Sequence, residues 1–360
     1  MKEIGSEFWT GCTPTTGHDY SMRPEIFYKT HPSRVVETLS GRTALEHIVE
    51  VLVRMGKTAV CVPSFCCQTM IVPFLKHGMK VLFYDVQITQ KGLHRVTCDK
   101  KYDTILLMDY FGHTDDETLE IATREKADGV TVIYDATHSM YSLINTQPYD
   151  FVYGSYRKWL DINCGFFSWG KEQRIAGITQ SDGNQAYARV REELFDRKAE
   201  YMNGGAVRKE AFLSLINTAE FILEEHYHHK MPDDRSKEVL KHSDANYIIN
   251  KRRTNAKVLT DAINELNDAR VRCINPVLNP YDTPLFVGVI VESTLRDPLR
   301  RFLIEHEIYC PIHWPKTKEH IEMRGSKLLF NSELSLICDQ RYDEKDMHRI
   351  SETITDFLKS

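Results

Sequence analysis

The sequence predicts an α/β protein with a three-layer α/β/α large domain around a mostly parallel sheet and a smaller α+β domain after it. Three observations carry this: β-rich runs alternate with helix-like segments up to about residue 170, long charged helical stretches follow from about residue 185, and strand and helix patterns return near the C-terminus. Alternating strands and helices need crossover connections, which yield a parallel sheet covered on both faces. The expected domains are residues 1–240 and 241–360.

The first clear element is a helix over 43–55, where Leu45, Ile48, Val49, Leu52 and Val53 share one face and Gly56 closes it. Strands are expected at 59–62, 80–84, 104–109, 130–134, 150–153 and 165–169, with helices at 66–77 and 116–127 between them. The charged stretches 186–201, 207–229 and 236–267 are read as helices linking the domains, with Gly204-Gly205 and Pro232 as breaks. Strand 285–291, helix 295–306, strand 334–338 and helix 343–358 complete the small domain.

The 360 residues, 42% hydrophobic and 27% charged, suffice for a substantial core. Lys and Arg total 46 against 51 Asp and Glu, and no long basic block occurs, so a nucleic-acid partner is not expected. No apolar run reaches the length of a membrane span, and Met1 to Glu7 lack the basic start and apolar core of a secretory signal. Nine scattered cysteines without a C-x-x-C fit a reducing compartment, and the expected location is the cytoplasm.

Ligands of open α/β sheets bind beyond the carboxyl ends of the strands. Three such places hold suggestive groups. In Ser40-Gly41-Arg42-Thr43 a glycine precedes a helix whose first N–H groups are free to meet a phosphate, although Ser40 as a plain N-cap explains the same residues. In Tyr134-Asp135-Ala136-Thr137-His138 an acid ends a strand and a histidine follows three positions later. In Gly154-Ser155-Tyr156-Arg157-Lys158-Trp159 a lysine lies among aromatics after a strand, where desolvation would free its lone pair.

Together and in this order the three meet the needs of pyridoxal 5'-phosphate (PLP). Lys158 would hold the aldehyde as a Schiff base and later move a proton. Asp135 would face the pyridine nitrogen, an opposite charge that raises the ring's pKa by roughly 1–3 units. His138 would lie near the ring's phenolic oxygen or the Asp135 carboxylate, and Gly41, Arg42, Thr43 and Ser155 would hold the phosphate.

These residues resemble the DegT-type, or sugar-nucleotide, aminotransferases of PLP fold type I. The resemblance runs through Ser40 to Leu45, Val62-Pro63-Ser64-Phe65-Cys66-Cys67, Tyr84-Asp85-Val86, Asp109-Tyr110-Phe111-Gly112, Tyr134 to Ser139 and Ser155 to Trp159. It continues more weakly in Tyr309 to Pro315 and Leu334 to Tyr342. It implies a PLP-dependent aminotransferase of polysaccharide or related biosynthesis, a homodimer with sites at the subunit interface. The implied donor is an amino acid such as glutamate, and the acceptor a keto-sugar nucleotide. It also implies that the ring-stacking position is taken by Cys67, with Cys66 before it or Phe65 in its place, and that Tyr110 contacts substrate.

The sequence departs from that family where only Tyr156 and Arg157 separate Ser155 from Lys158, a spacing also met in cysteine desulfurase-like members of the fold type. A PLP-dependent lyase is therefore one alternative, and a catalytically silent scaffold another. Phe8 and Trp9 are expected to line a site, and His313 to close over substrate from the loop between Pro311 and Pro315. His226-Tyr227-His228-His229 ends a charged helix with no cysteine or carboxylate at ligand spacing, so it is read as facing water and no metal is assigned.

Overall fold

The computed structural model describes residues 3–16, 34–90, 92–96, 101–143, 148–169 and 181–360. In chain order the first elements are β1 (Ile4–Gly5), β2 (Arg34–Thr38), α1 (Gly41–Arg54), β3 (Ala59–Pro63), α2 (Val72–Lys76), β4 (Lys80–Thr89), β5 (Gly92–Val96), β6 (Thr104–Met108), α3 (Asp116–Ala127), β7 (Thr131–Asp135), β8 (Phe151–Ser155) and β9 (Gly165–Trp169). Eight of these strands form one sheet in the order β2-β9-β8-β7-β6-β3-β4-β5. Its centre, from β4 to β8, is parallel, whereas β5, β9 and β2 join through antiparallel pairs. Order reverses between β3 and β6, a switch point of the kind that opens a crevice at the strands' carboxyl ends.

The helices α4 (Gln185–Met202), α5 (Lys209–His226), α6 (Asp234–His242) and α7 (Ala245–Leu266) follow. The stretch expected as one helix over 236–267 is broken at Ser243, where the chain turns extended and Asp244 caps a new helix by accepting the Tyr247 N–H at 2.9 Å. Helices α4 and α5 pack on each other, and α5 touches both parts of the chain, with Glu220 on Arg157 after β8 and Lys209 on Glu307 at 3.3 Å. Leu194 and Phe195 of α4 pack with Phe8 of the N-terminal segment.

The second body contains β10 (Val271–Cys273), β11 (Phe286–Val291), α8 (Arg296–Glu305), β12 (Ile308–Tyr309), α9 (Arg324–Ser332), β13 (Glu333–Ile337) and α10 (Glu344–Lys359). Strands β10, β11 and β13 form an antiparallel sheet, and β12 pairs with β1, so the N-terminus belongs physically to this body. The two largest hydrophobic clusters follow these two bodies. The α7 helix serves both, with Ile248 in the large-sheet cluster and Ala256, Leu259 and Ile263 in the other.

The Asp109-to-Gly112 segment joins the two bodies. Phe111 and Gly112 carbonyls accept the N–H groups of Leu285 (2.7 Å) and Thr283 (3.1 Å). Gly112 has φ 90°, and a Cβ there would lie 2.1 Å from the Thr283 oxygen, so only glycine permits this approach. Among the described residues no helix is long and apolar enough to cross a membrane.

Candidate active site

Helix α1 starts where it does because Ser40 is extended and its hydroxyl accepts the Thr43 N–H at 3.1 Å. This end rests directly on the large sheet. A Cβ on Gly165 would lie 2.3 Å from the Ser40 carbonyl carbon, and one on Gly41 would lie 3.0 Å from the Ser155 Cβ. Among the described residues the N–H groups of Gly41 and Arg42 and the Ser155 hydroxyl have no hydrogen-bond partner. Converging unpaired donors at a helix start suit a phosphate.

Two expectations change here. Thr43 uses its N–H on Ser40 and its hydroxyl on the Tyr227 carbonyl at 2.9 Å, so it builds the seat without facing it. The Arg42 guanidinium turns to Glu220 of α5 at 3.8 Å and to the Tyr227 ring, leaving its backbone N–H as its offering.

Lys158 ends the turn after β8, and the next residue fastens that turn to the end of β7. The Trp159 indole N–H donates to the Thr137 carbonyl at 2.8 Å, and the Trp159 carbonyl accepts from Gln340 at 2.6 Å. Asp161 holds the far side through Thr13 and Arg235. The Lys158 side chain projects into a concave space, walled by protein yet open to a small molecule, and its amine has no hydrogen-bond or ion-pair partner among the described residues. Burial and the neighbouring Arg157 charge lower its pKa, against the pull of Cys67, Glu220 and Glu7.

Asp135 closes β7 and is buried. Its carboxylate accepts from the Thr137 N–H at 2.8 Å and from the Tyr153 hydroxyl at 2.7 Å, the latter on β8 directly opposite. Burial pushes its pKa up despite both bonds, since no cation stands beside it. His138 accepts the Phe111 N–H on Nδ1 at 3.3 Å, which puts its proton on Nε2, and Nε2 has no partner among the described residues. Burial and the Lys158 charge lower its pKa to about 3, so it is a neutral donor.

Across from His138, Trp314 stacks on it at 5.3 Å and His313 meets both rings edge-on. The His313 Nδ1 pairs with the Ser335 hydroxyl at 2.8 Å, Ser335 donates to Glu333, and Glu333 also accepts the His313 N–H at 2.6 Å. Burial raises Glu333 to about 8, so at neutral pH it retains a proton that an unfolded glutamate, near 4.5, has lost.

The folded state therefore binds the extra proton between those values; this contribution to stability is full below about 4.5 and is lost as pH rises through about 8. Wild-type protein is expected to lose a few kcal/mol of urea-unfolding stability between roughly pH 4.5 and 8, with no further loss from this group above that. Glu333→Gln should show a clearly flatter profile. Equal slopes for the two proteins would rule this account out.

A cavity of about 340 Å³ opens in front of Lys158, lined by Glu7, Phe8, Arg157, Arg300, His313 and Arg341 among others. Glu7, Arg157 and Arg300 were not legible as site residues in the sequence. Glu7 pairs with Arg191 at 3.0 Å; burial opposes its charge, but Arg191, Arg157 and Lys158 hold it down to about 2. Arg157 and Arg42 share Glu220. Arg300 donates its Nε to the Cys310 carbonyl at 3.2 Å, and its terminal nitrogens have no partner among the described residues.

Other expected site residues fall elsewhere. Trp9 is outside the cavity lining and packs on Arg341 and Lys198, while Phe8 reaches the cavity beneath Arg341. Tyr110 is buried with its hydroxyl donated to the Phe65 carbonyl at 2.6 Å, and it is absent from the lining of the Lys158 cavity. Phe65 is fully buried against Trp314 and Phe330, which removes it as a stacking ring, and Cys66 is fully buried with its thiol pushed well up by burial. Cys67 is half-buried, accepts from the Thr69 hydroxyl at 3.1 Å and lies within range of the Lys158 charge.

A parallel-centred sheet with a lysine, a buried acid and a helix start meeting at its carboxyl ends is the architecture of the fold type I aminotransferases. Spr1654 of Streptococcus pneumoniae, described as a sugar aminotransferase and solved in its PLP form, has this fold with 13% identity, 99% of each chain covered and a TM-score of 0.65. PseC of Helicobacter pylori, an aminotransferase involved in the biosynthesis of pseudoaminic acid, is 10% identical over 99% of this chain and 98% of its own, with a TM-score of 0.64. The aminotransferase TlmJ of Streptoalloteichus hindustanus is 14% identical over 90% and 86%, with a TM-score of 0.61. At these identities the likeness establishes the fold. No protein-family model matches the chain, and no curated protein matches it by sequence.

Proposed function

We propose that this chain is a PLP-dependent aminotransferase of the sugar aminotransferase kind, holding the cofactor on Lys158. The observation that carries the reading is the unpartnered, pKa-lowered Lys158 amine, fastened through Trp159 to the turn after Asp135 and lying three residues beyond Ser155, whose Cβ nearly touches Gly41.

The residues fit the cofactor. Gly41, Arg42 and Ser155 offer unpaired donors to a phosphate, Asp135 is a buried acid without a cation, and the unpaired Nε2–H of His138 suits a phenolic oxygen. When bound, PLP supplies an aldehyde that condenses with amines and a protonated ring that withdraws electrons. Lys158 Nζ, without a hydrogen-bond partner among the described residues, would be the base that takes the proton from the substrate carbon bearing nitrogen. Asp135 would face the ring nitrogen and favour its protonated form, and Trp314 screens His138 from water.

Spr1654 and PseC, with their sugar and pseudoaminic acid roles, support a keto-sugar acceptor. An amino-acid donor such as glutamate, a nucleotide on the acceptor, a homodimer and a cytoplasmic location belong to the same proposal. The free guanidinium nitrogens of Arg300 suit the carboxylate of the donor. Arg300→Gln should raise the donor KM about ten- to a hundredfold with little change in kcat. A loss confined to kcat would place Arg300 elsewhere.

The lyase reading loses ground, because Cys66 is sealed in the core and its thiol is held protonated by burial. Borohydride reduction followed by peptide mass analysis tests the main proposal. A pyridoxyl mass on the Lys158 peptide is expected, and its absence from PLP-treated protein would sink it. A screen of keto compounds against the amino-loaded enzyme then identifies the acceptor class.

A further inference from the structure

In the sequence His226-Tyr227-His228-His229 has no carboxylate at ligand spacing. Folding supplies one from α1. His47 and Glu50 stand one turn apart on that helix, and the His229 Nε2 lies 2.9 Å from the Glu50 Oε1. The rings of His47 and His229 meet edge-on at 4.8 Å. One ligand atom from each of His47, Glu50 and His229 lies within 4.8 Å of the other two.

His47 supplies the independent observation. Its side chain is only 4% exposed, its Nε2 is buried without a partner, and no hydrogen bond from either ring nitrogen is made to the described residues. A buried imidazole without a hydrogen-bond partner, one of whose nitrogens lies within 4.8 Å of the other two ligand atoms, is an unmet requirement. Two glutamates one turn apart add the negative charge, with Glu46 already bonded to His77 at 2.6 Å and to the Tyr227 hydroxyl at 3.2 Å.

We propose that His47, Glu50 and His229 bind a divalent transition cation, at a site separate from the Lys158 cavity. Two imidazoles and one carboxylate select zinc and its neighbours, whereas magnesium and calcium demand oxygen ligands throughout. The fourth position is open to water. The ion would tie the segment after α5 to α1, at the corner where Thr43 also bonds the Tyr227 carbonyl.

The test uses the full-length chain without a histidine tag, stripped with EDTA and titrated with zinc against a chromogenic chelator. Stoichiometric uptake is expected, with a rise in melting temperature of about 2–4 °C or more at saturation, and no rise with magnesium. Glu50→Gln and His229→Asn alter half-buried positions and should fold, yet each should weaken uptake at least tenfold. Failure of the wild type to take up zinc overturns the proposal. So does uptake unchanged in both variants, which would locate the ion on other histidines.

Discussion

Replacing Lys158 with alanine is expected to lower kcat for amino transfer by about 10⁴-fold or more, because the covalent attachment and the proton-moving base disappear together. The fold should not suffer. Lys158 has no hydrogen-bond partner among the described residues, and its pKa is lowered by burial, with Arg157 adding to the effect.

Removing it should therefore leave the melting temperature close to unchanged. Circular dichroism and thermal melts separate this outcome from simple unfolding. The reduced and digested variant should carry no pyridoxyl group at position 158. Should Lys158→Ala turn over at a rate near wild type, the amine that matters is another one.

Much of the large sheet was legible because its strands are continuous apolar runs punctuated by turn residues, as at 104–109 and 131–135. The edges were not. The Arg34–Thr38 strand carries Glu37 and Thr38, and Gly92–Val96 alternates with His94 and Arg95, so neither presents the apolar run of a central strand. The helix expected at 66–77 shrinks to a single 3₁₀ turn and Val72–Lys76, since Cys67 lies extended where helix was expected.

Within the site, Lys158, Asp135, Gly41, Ser155 and His138 could be read because each sits at a strand end or helix start, a position that sequence patterns mark. Glu7, Arg157, Glu220 and Arg300 could not. They reach the cavity or its rim from an irregular segment, a turn, a charged helix face and a small-domain helix, where a charge is ordinarily solvated. Thr43 shows the reverse error: its residue type suits a phosphate, but helix capping and the Tyr227 carbonyl claim its donors. The Glu333, Ser335 and His313 chain depends on contacts between β13 and a loop 20 residues away.

Asp135→Asn tests the electrostatic half of the proposal, with an expected fall in kcat of about 10²–10⁴-fold. An amide cannot balance a protonated ring, so the variant would weaken the ring nitrogen's hold on its proton and with it the capacity to stabilise negative charge on the substrate carbon. Position 135 is favourable for this comparison, since asparagine keeps the shape and one oxygen for either the Thr137 N–H or the Tyr153 hydroxyl. One of the two donors then faces the amide nitrogen, a cost of about 1–3 kcal/mol. Against it stands relief of an uncompensated buried carboxylate, whose pKa burial already raises.

The two effects oppose each other, so the protein without cofactor should change little in melting temperature. Cofactor binding should weaken, and the pH at which the bound chromophore titrates should shift downward. A variant that retains wild-type kcat, with an unshifted spectrum, would remove Asp135 from the ring nitrogen and leave its buried charge without a chemical purpose.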